Sequence, residues 1–207
     1  MSSPSLWIVS FVLVLGFSSH LWGQDTLVFD SFAPPANFGG YSSADGGEAS
    51  LLSVTQSLSI SRIAILNEML SPGSLEFVIL SYPQPQFLYI SAPDAFPMDV
   101  SGQTTWKESD SLSYTLQPGS EYLVGYLRNV AANDYVYSDP VSESGITSDL
   151  SIGTLLGFSA PTYSHIAFTG VDQPLRLYTA VPEPASGTIL LAFPLALLMR
   201  RHLPLGR

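Results

Sequence analysis

Apolar and polar residues alternate in short runs through the middle of the chain. Leu112-Ser113-Tyr114-Thr115-Leu116 alternates at every position, as a strand with one buried face does. Leu75-Glu76-Phe77 alternates and then merges into Val78-Ile79-Leu80, the pattern of a strand buried on both faces. Along residues 121–128, Tyr122, Val124 and Tyr126 fall on one side. Leu58 and Ile60 change phase to Ile63 and Ile65, which predicts a bulge near Ser61-Arg62. Shorter strands are predicted over 27–29, 49–54, 87–91, 135–137, 165–169 and 175–179. Between them stand turn formers such as Pro34-Pro35, Gly39-Gly40, Asp45-Gly46-Gly47, Ser71-Pro72-Gly73 and Pro118-Gly119. The nearest approach to a 3.6-residue period, around 63–70, amounts to one short turn. About ten short strands at regular spacing predict an all-β, antiparallel β-sandwich or jelly-roll-like domain.

The two ends are patterned differently. Residues 1–23 carry no Asp, Glu, Lys or Arg, and residues 6–17 are apolar except for Ser10 and Gly16. That length suits the core of a signal peptide and is short for a membrane span. The small residue Gly23 before Gln24 marks the expected cleavage point. At the other end, Val181-Pro182-Glu183-Pro184 is a stiff, extended tetrapeptide, because each proline fixes its own φ and restricts its predecessor. Residues 185–199 are uncharged, and Arg200-Arg201 follow at once. As a helix that segment would be about 22 Å long, against roughly 30 Å of hydrocarbon. Snorkelling arginines and local thinning could bring it across, with the arginines on the cytoplasmic side. The expected layout is a signal peptide (1–23, helical), a β-sandwich ectodomain (24–180) and a tail (181–207) with a short hydrophobic helix.

The tail, in its order and spacing, resembles the PEP-CTERM sorting tail of surface and secreted bacterial proteins. That resemblance implies recognition of Pro182, Glu183 and Pro184 by an exosortase, a multi-spanning membrane enzyme. It makes 189–199 the membrane segment and Arg200 and Arg201 the stop signal. It further implies export through the Sec machinery, transient insertion in the inner membrane, processing near the Pro-Glu-Pro, and a final place at the cell surface or in an exopolysaccharide or biofilm matrix. Pro194 and the extension 203–207 depart from the pattern. In the middle, the run Leu116-Gln117-Pro118-Gly119-Ser120-Glu121-Tyr122-Leu123-Val124 is similar to a turn and strand of choice-of-anchor-type β-sandwich ectodomains, a group with no common activity.

Composition narrows the chemistry. Among 207 residues there are no cysteines, so disulfides, thiolate metal sites and a cysteine nucleophile are out. A net charge of −10 argues against general nucleic-acid binding. The acids concentrate in 24–180, which holds sixteen of them against Arg62, Lys107, Arg128 and Arg176. Direct grip on a strongly anionic polysaccharide would then need bridging divalent cations.

Candidate catalytic groups are sparse. His165 is the single histidine of 24–180, and no Gly-x-Ser-x-Gly elbow accompanies it. Glu76, Asp99, Glu108 and Asp110 could serve as paired carboxylates of a hydrolase only if the fold brought two of them together. Asp45-Gly46-Gly47-Glu48 and Glu108-Ser109-Asp110 offer hard oxygen ligands for a structural calcium, without EF-hand spacing. No other cofactor and no catalytic residue is expected. For carbohydrate contact the candidates are Trp106, in a polar stretch read as a loop, and Tyr135 and Tyr137, which share a face at strand spacing. The alternative for the tyrosines is a place in the core. The expected function is a non-catalytic surface or matrix module; a lectin-like module and a secreted hydrolase are the alternatives.

Overall fold

The computed structural model describes residues 25–32, 37–42 and 44–181. They belong to a compact unit running from Gln24 to Pro182. Sixteen strands make it up: β1 (Thr26–Asp30), β2 (Asn37–Ser42), β3 (Gly46–Val54), β4 (Leu58–Ile60), β5 (Arg62–Met69), β6 (Gly73–Tyr82), β7 (Phe87–Ile90), β8 (Asp94–Phe96), β9 (Thr105–Glu108), β10 (Tyr114–Leu116), β11 (Ser120–Arg128), β12 (Ala132–Val136), β13 (Ser142–Glu143), β14 (Ile146–Leu156), β15 (Thr162–Thr169) and β16 (Leu175–Thr179). There is no helix among the described residues, and every pairing is antiparallel. The fold is therefore all-β, and its sheets do not close into a barrel.

One sheet has six strands in the order β1-β16-β5-β12-β2, with β9 also on β5. β9 takes one edge of β5, while β16 and β12 share the other edge in succession. The second sheet has eight strands, β13-β14-β3-β11-β6-β7, with β15 on β14 and β8 on β6. The pair β4–β10 stands apart. The bulge expected at Ser61-Arg62 is instead a change of partner: Ile60 pairs with Tyr114, and Arg62 pairs with Tyr178 of the six-stranded sheet.

The two sheets share one apolar core. Phe29, Ile63, Ile65, Met69, Leu175 and Leu177 meet Leu52, Val54, Phe77, Ile79, Tyr122 and Val124. A side chain of this size, fully buried, contributes about 1.5–3 kcal/mol against leaving it in water. The far face of the eight-stranded sheet is buried too, around Ala49, Leu51, Val78, Leu80, Leu123, Leu127 and Leu155, with Phe158, Tyr163 and Ile166 packed against them. This is why the central run from Phe77 to Leu80 is apolar at every position. Between β3 and β11 the backbones come so close that a Cβ on Gly125 would fall 2.0 Å from the Glu48 carbonyl oxygen, and one on Gly47 would fall 1.8 Å from that of Tyr126.

Candidate functional site

The solvent-facing side of the six-stranded sheet carries the most ordered group of aromatic and charged side chains. Leu175-Arg176-Leu177-Tyr178 alternates, so Leu175 and Leu177 enter the core while Arg176 and Tyr178 face outward. On the opposite edge of β5, β9 alternates in the same sense: Lys107 is buried, and Trp106 and Glu108 look out. The polar stretch read as a loop is thus an edge strand. Trp106 stands opposite Leu66, and both Glu108 and Arg176 stand opposite Ala64. The short side chain of Ala64 lets Arg176 reach across it. The Arg176 guanidinium lies 3.9 Å from the centre of the Trp106 ring, and its Nε donates to Asp30 Oδ2 at 2.9 Å. Phe32 meets the same indole edge-on, with ring centres 6.0 Å apart. Beside this group, Arg62 bridges Asp25 (3.1 Å) and Glu108 (2.9 Å). Burial, together with the charge of Glu108, raises the Tyr178 hydroxyl above its ordinary range.

The result is a flat band of half-exposed rings, guanidinium groups and carboxylates. Aromatic faces accept the C–H side of a sugar ring, and guanidinium–carboxylate pairs donate to and accept from its hydroxyls. One face of Trp106 is already covered by Arg176, so a ligand here meets the stacked pair and not a bare indole.

The two tyrosines part company. Tyr135 is half-exposed and follows Asp134, which pairs with Asn67 of β5. The pairing with β5 stops there: the Leu66 N–H donates to the Pro174 carbonyl at 3.3 Å, and the β12–β2 register shifts between Asp134 and Tyr135. Tyr137 is only 2 % exposed. β12 ends at Val136, and the Tyr137 backbone pairs with Asp172 instead, which turns the ring inward. Its hydroxyl lies 3.2 Å from Asp172 Oδ2. Tyr137 therefore presents no face to a sugar, and the sharing of a face expected from spacing does not occur.

Charged groups gather inside the fold, where the sequence pattern did not place them. Tyr126 donates to Asp134 Oδ1. Arg128 Nη1 donates to the Tyr126 hydroxyl at 2.7 Å and to Asp134 Oδ1 at 3.1 Å. Glu48, cross-strand neighbour of Tyr126, joins them. Burial first, then the charge of Asp134, push the Glu48 carboxyl up to about 8, although Arg128 pulls the other way. A second group joins Tyr137, Ser148 and Asp172; Ser148 donates to Asp172 Oδ2, and the Gln173 N–H donates to Oδ1 at 2.9 Å. Burial raises Asp172 to about 7 even against those hydrogen bonds. A third pins the segment before β9. Lys107 Nζ lies 2.9 and 2.7 Å from the two Asp99 oxygens, and Asp99 Oδ2 also accepts from the Met69 N–H at 2.7 Å. Burial alone would raise Asp99, but hydrogen bonds from Lys107, Thr105 and Met69 outweigh it and hold the carboxyl below its ordinary value.

The remaining candidates are dispersed. Asp45, at φ 66°, accepts from the Phe158 N–H, while Glu48 of the same run turns between the sheets. Glu108 pairs with Arg62, Ser109 Oγ accepts from the Ile63 N–H, and the Asp110 N–H donates to Asp94. Among the described residues no three His, Asp or Glu side chains gather as a metal site. Glu76 lies on β6, half-buried and raised by that burial. His165 is exposed on β15, with Nδ1 2.8 Å from Ser164 Oγ. A shallow depression of about 420 Å³ at the end of β6 and β11 is lined by Tyr82, Pro83, Leu88, Ser120 and Glu121; no sequence signal beyond the Pro83–Pro85 turn points to it. Gly23, Gln24, Pro182, Glu183, Pro184, Arg200 and Arg201 lie outside the described residues. Among the described residues no helix is long and apolar enough to cross a membrane.

Compared with known proteins, the chain matches no protein-family model, no curated protein and no solved structure.

Proposed function

We propose that this chain is an exported, non-catalytic surface or matrix protein, sorted by an exosortase through its tail, with a β-sandwich, jelly-roll-like ectodomain. The observation that carries this is the ordered series Val181-Pro182-Glu183-Pro184, the apolar stretch 189–199 and Arg200-Arg201. The ectodomain suits the role. Its four bases are held in ion pairs, and the acids left over give it a surplus of negative charge. Intact-mass and peptide mass spectrometry by cell fraction, on protein from the producing bacterium, tests the proposal. A mature form starting near Gln24 and ending near Pro182–Pro184, outside the inner membrane, is expected. A chain reaching Arg207 in the inner membrane overturns it.

A second reading, contact with neutral polysaccharide, is supported by the outward band of Trp106, Arg176 and Tyr178. Both charges of each guanidinium–carboxylate pair are present there, which favours hydroxyl-rich ligands over strongly charged ones. Glycan-array binding that drops at least tenfold in both Trp106→Ala and Arg176→Ala supports this reading. Binding unchanged in both removes this face from it.

A further inference from the structure

We infer that at least one ordered water molecule sits between the two sheets, held by Asn67 and Glu48 beside Asp134, and that it ties the sheets together there. Asn67 is fully buried, and neither its Oδ1 nor its Nδ2 has a hydrogen-bond partner. It lies on β5, directly across from Asp134 of β12, so both side chains point to the same inner face. Glu48 approaches from the other sheet. Its cross-strand neighbour Tyr126 donates to Asp134, and its own Oε2 is sealed from solvent and likewise without a partner. Asn67 stands opposite Asp134, and the charge of Asp134 acts on Glu48, so three polar atoms from two sheets are left without partners beside Asp134, which itself takes two bonds. Ser50 Oγ, two residues along β3 from Glu48, and Arg62 Nε are also sealed without a partner.

The chemistry of those atoms selects the occupant. Asn67 Nδ2 needs an acceptor, and Asn67 Oδ1 needs a donor. A bare metal cation offers no acceptor and would face the Arg128 guanidinium. A halide offers no donor and would face Asp134. Water does both. It has a bond left for Glu48 Oε2, which brings it to the three partners usual for buried water. Whichever proton state Glu48 holds, water can complement it, donating to the carboxylate or accepting from the acid. The consequence is a polar bridge running from β3 through water to β5, parallel to the direct one from Tyr126 and Arg128 to Asp134.

The test uses the unaltered protein isolated from its producing cells with ¹⁵N label. Water-selective nuclear Overhauser spectra should show cross-peaks of slow-tumbling sign between the Asn67 side-chain protons and water, and a crystal structure at a resolution that shows ordered water should place density within hydrogen-bond distance of Asn67 and Glu48. Asn67→Leu should remove that density, and Glu48→Gln should keep it. An Asn67 amide whose protons contact only protein groups, with no water cross-peak and no density, overturns the inference. Since the first measurements need no substitution, misfolding of a variant does not spare it.

Discussion

Arg176 stacks on Trp106 across the small side chain of Ala64, 3.9 Å from guanidinium to ring centre. The contact fastens β16 to β9 over β5, three strands tied at the surface by one side chain. A planar guanidinium stacks on the indole and donates from Nε to Asp30 at once, whereas an ammonium keeps part of the attraction to the ring but not this two-way geometry. Arg176→Lys should therefore cost up to about 1 kcal/mol, the worth of a partly exposed cation–π pair. The drop should appear as a lowered urea midpoint with an unchanged slope.

The buried pair Arg128–Asp134 behaves differently from surface pairs. Both side chains are almost fully buried, at 3 % and 5 % exposure. Asp134→Ala leaves the Arg128 charge in the core without the carboxylate that faces it, at a cost of about 3–5 kcal/mol. Tyr126→Phe removes a hydroxyl that both donates and accepts, and should cost about 1–3 kcal/mol. Equal costs in chemical denaturation would show that the ion pair adds nothing beyond its hydrogen bond.

Stability should fall from mildly acid to mildly alkaline pH. Glu48 rises from 4.5 to about 8 on folding, and Asp172 from 3.8 to about 7. A carboxyl raised by folding stabilises fully below its unfolded value, and that contribution is lost as pH climbs through the folded one. Asp99, lowered by Lys107, works in the opposite sense: its contribution is complete above 3.8 and is lost below it. The melting temperature should therefore peak near about pH 4–5 and decline toward pH 8, by a few kcal/mol in stability. In Glu48→Gln the decline above about pH 5 should be shallower. A wild-type melting temperature flat from pH 5 to pH 8 contradicts this.

Backbone crowding between β3 and β11 makes a further case. Each of Gly47 and Gly125 has a neighbouring strand's carbonyl where a Cβ would go. Neither obstacle is a flexible side chain, so the strands must separate. Gly125→Ala should cost about 3 kcal/mol, the upper end for overpacking, measured by thermal and urea melts.

Much of the fold was legible from period-two patterning. The strand predicted over 175–179 coincides with β16, and the runs through Phe77–Leu80 and Tyr122–Tyr126 bury the faces their patterns predict. The strands that escape this patterning have their alternation interrupted, by a polar inward position, by a left-handed residue or by glycine. Thr105–Glu108 read as a loop because Lys107 looks like solvent-facing charge, yet Asp99 neutralises it inside. β14 escaped because Ser148, Leu150 at φ 48° and Gly153 interrupt its alternation. β2 escaped because Gly39-Gly40, read as a turn, lies within it. In the candidate site, Trp106 was found by its type, whereas Arg176 and Tyr178 were recoverable from their alternation with Leu175 and Leu177. The turn of Tyr137 into the core depends on its bridge to Asp172, thirty-five residues away, which no local pattern encodes.

All four bases of the described domain are engaged: Arg62 with Asp25 and Glu108, Lys107 with Asp99, Arg128 with Asp134, Arg176 with Asp30. Among the described residues no Lys or Arg is left outside an ion pair, so what one such domain shows another at a distance is surplus acid. Such domains behave as like-charged colloids. Crowded on a surface they keep apart at low ionic strength, and they close up once salt shortens the Debye length to about 8 Å, its value near 0.15 M. The ion pairing that knits the strands together thus also sets how densely the protein can be laid down.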